Sequence, residues 1–402
     1  MRAPKVSRQW FPLALASLVL ATAAIYAARP LMSYKALDLG GGALEIGIIT
    51  GTFSGVSLAG AVPIGRLIDR GYFRFANVIG ILVTAGGCVV AAIADDLLIL
   101  YLGSAILGVG QMLFLTSAQS MIPAWSPDAL IDGRFGYVTL MASLGQVFGL
   151  ALLPLVSDSP SAVDSTYVAM LAAAFVAAFA LPMAALAHGL AVAPPTVDEP
   201  AGHLSVWHLL HRPGMRPAIL SSLAALTGMD ILTAYLPLVG AQLGFSVLIV
   251  AFLLGIRTTA SVVARILLPW VLRTFPARPV LIMANAAPGV ALMLIPLFPN
   301  VWAIGAIMLV AGAFWGVGQP MTMSWVSRAA TRETRSTAIS LRLAGNRAGQ
   351  MMVPLAAGAL AGVAGIGAIF VAVGLLSFGA SLSTWVTTRP GSDGARGLSS
   401  SR

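Results

Sequence analysis

The chain has little charge and almost no cysteine: 9% of its 402 residues are Asp, Glu, Lys or Arg, and Cys88 is the single cysteine. With 58% hydrophobic residues and a mean hydropathy of +0.92, it cannot cover a surface with polar groups, which excludes a water-soluble globule. One cysteine excludes a disulfide within the chain and says nothing about redox compartment. Cys88 lies inside an apolar run, where a thiol packs as a small hydrophobe. Histidine is scarce too. His203, His208 and His211 cluster with Trp207 in one polar stretch, which reads as an amphipathic interfacial segment, because metal binding requires ligands held on one face. The sequence has no phosphate-cradling Walker loop, no metal-ligand spacing within a span and no catalytic constellation. An ATP-driven pump and an intramembrane enzyme are disfavoured, and no cofactor, metal or catalytic residue is expected.

What the chain has in abundance is apolar length. A bilayer-spanning helix needs about 20 mostly apolar residues. Such runs recur twelve times, at 10–34, 45–67, 76–94, 97–121, 137–156, 166–190, 215–239, 247–271, 279–297, 301–325, 337–360 and 366–386. The expected class is an all-α membrane protein with the lipid bilayer as its solvent. The first run is too long for a signal peptide and lacks a small-residue cleavage site, so it is expected to remain in the mature chain.

A net charge of +9 would fit nucleic acid, but the positions of the charges argue otherwise. If the N-terminus is cytoplasmic, 17 of the 23 basic residues fall in cytoplasmic segments, Lys35 alone sits at the opposite face, and five arginines lie inside spans. Asp38, Asp95, Asp96, Asp158 and Asp164 populate the outer loops. This is the positive-inside bias of an inner-membrane protein with both termini cytoplasmic, and no nucleic-acid partner is expected.

The longest polar break, AVAPPTVDEPAGHLSVWHLLHRPG at 191–214, reads as a cytoplasmic linker between two six-helix bundles, 1–190 and 215–402. The halves repeat one another. GTFSGVSLAGAVPIGRLIDRGYFR (51–74) lies over GIRTTASVVARILLPWVLRTFPAR (255–278); GVGQ occurs at 108–111 and 316–319; Gly145, Gly149 and Pro154 lie over Gly345, Gly349 and Pro354. The offset between those last two matches shifts from 208 to 200, which predicts a loop eight residues longer at AWSPDALIDGR. Duplicated membrane bundles serve alternating access, in which two similar halves rock about a site near the bilayer midplane.

The segment GRLIDRGYFR at 65–74 resembles the G-x-x-x-D-R/K-x-G-R-R/K loop of the major facilitator superfamily, through Gly65, Asp69, Arg70, Gly71 and Arg74. The resemblance extends over the whole chain through its twelve runs and 6+6 repeat. It implies a cytoplasmic gate: Gly65 for close approach of span 2 to span 11, Asp69 at the start of span 11, and the arginines tying the loop to nearby acids. A carboxylate at a helix N-terminus is favoured by the dipole and the free N–H groups. The second copy has Pro269 for the glycine and Arg273 for the aspartate, so the stronger latch belongs to the first. Drug-antiporter signatures are weak: ILGVGQMLF (106–114) has no basic residue, and SLGQVFGLALLP (143–154) has Leu150 where that subgroup has proline.

Ionisable groups at bilayer depth are costly and mark functional paths unless they snorkel to an interface. Arg29 lies about 7 Å from the outer end of span 1, at 1.5 Å per residue, within snorkelling reach. At an offset of 204 it lies over Thr233, and Asp230 lies over Tyr26. Spans 1 and 7 face one another across the cavity in the superfamily, which implies that Arg29 and Asp230 pair or face each other there. Arg257 and Arg347, each ten residues into a span, lie near the midplane and are the strongest site candidates. Arg265 and Arg342 lie nearer the cytoplasm and read equally as anchors or gate residues. Arg342 and Asn346 share a helix face; Arg347 shares one with Gln350. Gln111 and Gln319 end the repeated GVGQ, and Gln146 is matched with Asn346. These amides serve either a cavity or simple helix contacts.

Five interior arginines against one interior aspartate favour a ligand with a carboxylate or phosphate. The expected function is a secondary transporter for a small anionic or amphiphilic organic molecule, acting as a monomer, in the export direction, with protons coupled through Asp230. Uptake of an organic acid by a symporter or facilitator, and a transport-dead membrane sensor, are the alternatives.

Overall fold

A computed structural model of the chain describes residues 9–126, 130–155, 162–189, 210–330 and 335–388, so the 191–209 part of the linker lies outside the described residues. The described residues form long helices: α1 (Trp10–Asp38), α2 (Ala43–Leu67), α3 (Phe73–Ala92), α4 (Leu97–Trp125), α5 (Ile131–Leu150), α6 (Ala162–Gly189), α7 (Met215–Gln242), α8 (Val247–Thr274), α9 (Ala277–Leu294), α10 (Val301–Ala329), α11 (Arg335–Ala364) and α12 (Ile366–Thr387). Ten are long and apolar enough to cross a membrane. Of the two outside that group, α5 and α11, the latter carries Arg342 and Arg347 within its apolar run. In hydrocarbon every backbone polar group must bond within its own segment, which is why so apolar a chain folds as helices.

The chain divides into two compact units, Met1–Glu199 with Gly244–Ala251, and Pro200–Leu243 with Phe252–Arg402. In the first, α1 packs on α5 and α6, and α3 packs on α4 and α6; in the second, α7 packs on α11 and α12, and α9 on α10 and α12. Helix α7 is the central helix of its unit, 78% of its most apolar window being buried.

The repeat runs at a constant 204, which corrects the expected shift from 208 to 200. Asp96 caps α4 by accepting from Ile99 N–H at 2.8 Å, and Asn300 caps α10 by accepting from Ala303 N–H at 2.8 Å. Gly40 and Gly244 both turn with positive φ, 78° and 69°. A Cβ on Gly108 would run into the Phe53 carbonyl, and one on Gly312 into the Arg257 carbonyl; Gly145 packs on Val19 and Gly349 on Leu223. The interval from Trp125 to Ile131 equals that from Ala329 to Arg335, so AWSPDALIDGR holds no longer loop. Gln111 therefore corresponds to Trp315, and Gln146 to Gln350. Glycine against a neighbouring carbonyl is how backbones approach closely where lipid offers no hydrophobic drive between helices.

The GRLIDRGYFR segment is a wide turn at Ile68–Tyr72 between α2 and α3, closed by Gly71 at φ 88°, a conformation that a side chain disfavours. The second copy makes its turn instead with Pro276 at the N-cap of α9.

Candidate functional site

In the second unit, polar side chains from α7, α10 and α11 meet in an apolar interior. Residues 342, 346 and 350 fall at i, i+4 and i+8 on α11, so they form one stripe along the helix. At one end of it Asp230 of α7, 5% exposed, accepts a hydrogen bond from Gln350 Nε2 at 2.7 Å, and Arg347 Nη1 donates to Gln350 Oε1 at 3.4 Å. Gln350 thus bridges the buried carboxylate and a guanidinium. A turn beyond, the Tyr235 hydroxyl donates to the Pro354 carbonyl at 3.0 Å and fixes the α7–α11 register.

At the other end Arg342, 5% exposed, donates through Nη2 to Gln319 Oε1 at 2.9 Å, to Thr322 Oγ1 at 3.0 Å and to the Gln319 carbonyl at 3.3 Å. Gln319 Nε2 in turn donates to the Ser222 carbonyl of α7 at 3.3 Å. An Arg342 acting as an interface anchor would reach water; instead its guanidinium is the hub of three helices. The clue in the sequence was the i, i+4 spacing of Arg342 and Asn346, with Gln319 as the second member of GVGQ.

The structure keeps Arg257 in the interior, 2% exposed, with Nη2 donating to Thr258 Oγ1 at 3.2 Å. Asn346 is 2% exposed. An apolar groove of about 590 Å³ along α8 and α10, lined by Phe252, Ile256, Val263, Leu267 and Leu309, carries no charged group and is separate from these polar layers.

In the first unit the Arg29 guanidinium lies 5.0 Å from the Phe53 ring centroid, a cation–π contact between α1 and α2. Gln111 is 8% exposed, and its Oε1 makes no hydrogen bond among the described residues. Arg29 and Asp230 belong to different units, and each is described with its own partners. Lys35, expected at an outer surface, is 4% exposed, and Asp38 beside it accepts from Thr166 Oγ1 at 3.3 Å.

Of the residues expected at a gate, Gly71 supplies the left-handed turn, and a side chain at Gly65 would meet nothing of its own unit within 4 Å. Arg70 is exposed. The Asp69 side chain lies outside the described residues. Arg74 stands 5.2 Å over the Trp125 ring, which also meets Trp10 at 5.1 Å, Phe73 at 5.3 Å and His188 at 5.8 Å edge-on. Arg134, on the far side, stacks on Trp10 and Phe11 and donates to Ser126 Oγ at 2.8 Å. This clasp of aromatic rings and guanidinium groups joins α1, α3, α4, α5 and α6 at the motif end. It was missed from the sequence because its members lie up to 178 positions apart, Trp10 to His188.

Among the described residues no three His, Cys, Asp or Glu side chains gather as a metal site. A duplicated bundle of membrane-length helices with polar layers held between its inner helices is the build of a secondary transporter. The sequence profile of the Major Facilitator Superfamily matches residues 14–330 and 219–400, and the chain belongs to that superfamily. It is accordingly a multi-pass membrane transporter rather than an enzyme. Its fold is similar to that of the nucleoside transporter NupG (TM-score 0.76, 13% identity, 94% of this chain and 99% of that one). It is also similar to a bacterial homologue of the human lysosomal transporter Spinster (TM-score 0.73, 16% identity, 95% and 98%). A POT family transporter in complex with 5-aminolevulinic acid gives a TM-score of 0.78 at 14% identity, over 95% and 97% of the two chains. At these identities the likeness is one of fold. No curated protein sequence is significantly similar to this chain.

Proposed function

We propose that this protein is a proton-coupled secondary transporter that exports a small anionic or amphiphilic organic molecule across the inner membrane by alternating access, as a monomer with both termini cytoplasmic. The observation that carries the reading is the chain from half-buried Arg347 through buried Gln350 to buried Asp230. A carboxylate this deep in an apolar bundle is expensive to keep and is a group that can hold or release a proton. The guanidinium joined to it through one amide is a counter-charge for a substrate carboxylate or phosphate. Arg29, Gln111, Arg257, Gln319 and Asn346 complete the set of substrate-facing residues, and Gly65, Asp69, Arg70, Gly71 and Arg74 form the cytoplasmic gate.

The chemistry needed from the chain is modest. Substrate and proton compete for one network: protonation of Asp230 weakens its hold on Gln350, loosens the amide to which Arg347 donates, and so changes what Arg347 offers to an anion. Exchange of a proton for a substrate anion at this network gives antiport; simultaneous occupancy gives symport, the second reading. Inverted membrane vesicles given anionic, neutral and cationic compounds under an imposed pH gradient distinguish the two. Accumulation of an anion driven by an interior-acid gradient supports export by antiport, and accumulation only of cations overturns the reading.

A further inference from the structure

The polar stripe of α11 has three rungs, and the outer two are bonded within the protein. Arg342 is held by Gln319 and Thr322, and Gln350 by Asp230. Between them Asn346 is 2% exposed, and neither its Nδ2 nor its Oδ1 makes a hydrogen bond among the described residues. It stands about 6 Å along the axis from each neighbour, one helical turn either way. On α7 the same level is fixed by two contacts, Gly345 on Ile219 and Gly349 on Leu223. There Ser222 Oγ is also buried and without a partner among the described residues. Further along α7, Thr227 Oγ1 is fully buried and unbonded among the described residues, as is the Trp315 Nε1–H of α10, whose ring packs on Gly228. Three helices thus bring donors and acceptors to one stretch of interior and leave them unmatched, where a buried polar group without a partner is costly.

We propose that Asn346 recognises a neutral amide-like group of the transported molecule, one that sets an N–H donor beside a carbonyl acceptor, with Ser222, Thr227 and Trp315 as further hydrogen-bonding contacts. A primary amide is complementary to that edge, donating through Nδ2 and accepting through Oδ1 at once. Arg347, one residue on, offers its charge to an anionic group of the same molecule. The assignment rests on the transporter reading above and narrows it to a substrate that joins an amide to a carboxylate. Substrate binding then satisfies atoms that the empty protein leaves unmatched, which favours the loaded form over a loosely fitting competitor lacking the amide.

The test uses the full-length protein in lipid nanodiscs. Asn346→Leu keeps the branching of the side chain and removes its polar atoms; Asn346→Ala guards against overpacking. If the amide is unmatched in the empty protein, at least one of the two raises the Tm, by roughly 1–4 °C. A fall in both shows that Asn346 is satisfied, by water or by protein, and overturns the proposal. The ligand arm compares succinamate, a primary amide joined to a carboxylate, with levulinate, in which a methyl replaces the amide NH2. Greater thermal stabilisation of the native protein by millimolar succinamate, lost in Asn346→Ala, is the expected result; no difference between the two compounds overturns the amide assignment. Uptake of succinamate into proteoliposomes tests the transport reading separately: a thermal difference without uptake keeps the subsite and sinks the transport reading.

Discussion

Replacing Asp230 with asparagine changes one charge and almost no shape. Gln350 Nε2 donates to Asp230 Oδ2 at 2.7 Å, and an asparagine carbonyl can accept the same bond. A hydrogen bond to a charged group contributes about 1.5–3 kcal/mol net and a neutral one about 0.5–1.5, so the substitution weakens the contact by about 1 kcal/mol. Burying an amide in place of a carboxylate offsets a similar amount, since the ionised group suffers the larger desolvation. The expected Tm of Asp230→Asn is therefore within about 4 °C of native. Asp230→Leu is the contrasting case: it leaves Gln350 Nε2 buried without its acceptor, at a cost of about 1–3 kcal/mol. With folding preserved, Asp230→Asn isolates the proton. Accumulation driven by a pH gradient should vanish, while counterflow exchange, which needs binding and rocking but no net proton movement, should remain measurable. The assay is uptake into proteoliposomes with and without an imposed gradient. Gradient-driven accumulation at the native rate in Asp230→Asn would remove Asp230 from the coupling mechanism, and loss of counterflow together with accumulation would make it a binding residue instead.

Further tests address the turn, the packing and the clasp. Gly71→Ala places a side chain at φ 88° and should destabilise by about 1–3 kcal/mol, read as a lower Tm. Gly312→Ala drives a Cβ into the Arg257 carbonyl and should cost about 1–3 kcal/mol, whereas Gly255→Ala on the same helix pair meets open space and should be neutral or stabilising. Trp125→Leu removes three edge-on ring contacts and the Arg74 cation–π contact, and should lower stability by about 3 kcal/mol, with no change in pH-driven coupling among the surviving folded molecules. Asp69→Asn should slow turnover more than it weakens apparent substrate affinity, and equal losses in both would count against its place in the gate.

Helical class and membrane residence were legible because they depend on sums over many residues: about 20 apolar positions in a row outvote any single side chain. The duplication was legible too, but its register was not. Offsets of 200, 204 and 208 differ by four residues, close to one helical turn of 3.6, so a slip of that size returns a glycine to the same face and matches an apolar helix almost as well. Only anchors whose geometry is set at a point resolve it, and Asp96 with Asn300, or Gly40 with Gly244, are such anchors. The site was legible in part for the same reason. Asp230, Arg257 and Arg347 stand out as charges in oil, whereas the roles of Gln350 and Arg342 depend on which amide on another helix lies opposite, and that is a property of packing.

The corrected register also shows how the two copies diverged. At an offset of 204, Asp230 stands where the first half has Tyr26, Arg347 where it has Ser143, Arg342 where it has Val138, and Gln319 where it has Leu115. Gln350 alone keeps its residue type, in Gln146. The first half therefore cannot build either polar layer of the second, although its helices pack in the same order. The divergence runs the other way at a second pair of positions: Arg29 over the Phe53 ring is replaced by Thr233 and Arg257, so the guanidinium has moved from the first helix of the half to the second. The turn motif diverged as well, Asp69 and Gly71 giving way to Arg273 and Phe275. The two halves thus hold different features, the aromatic clasp and the glycine-closed turn in the first, the Asp230–Gln350 bond and buried Asn346 in the second. Tyr26→Asp would place a carboxylate where Gln146 already stands at the position of Gln350 but Ser143 at that of Arg347, so it should lower the Tm without adding pH-driven accumulation, and a gain in that accumulation would refute the reasoning.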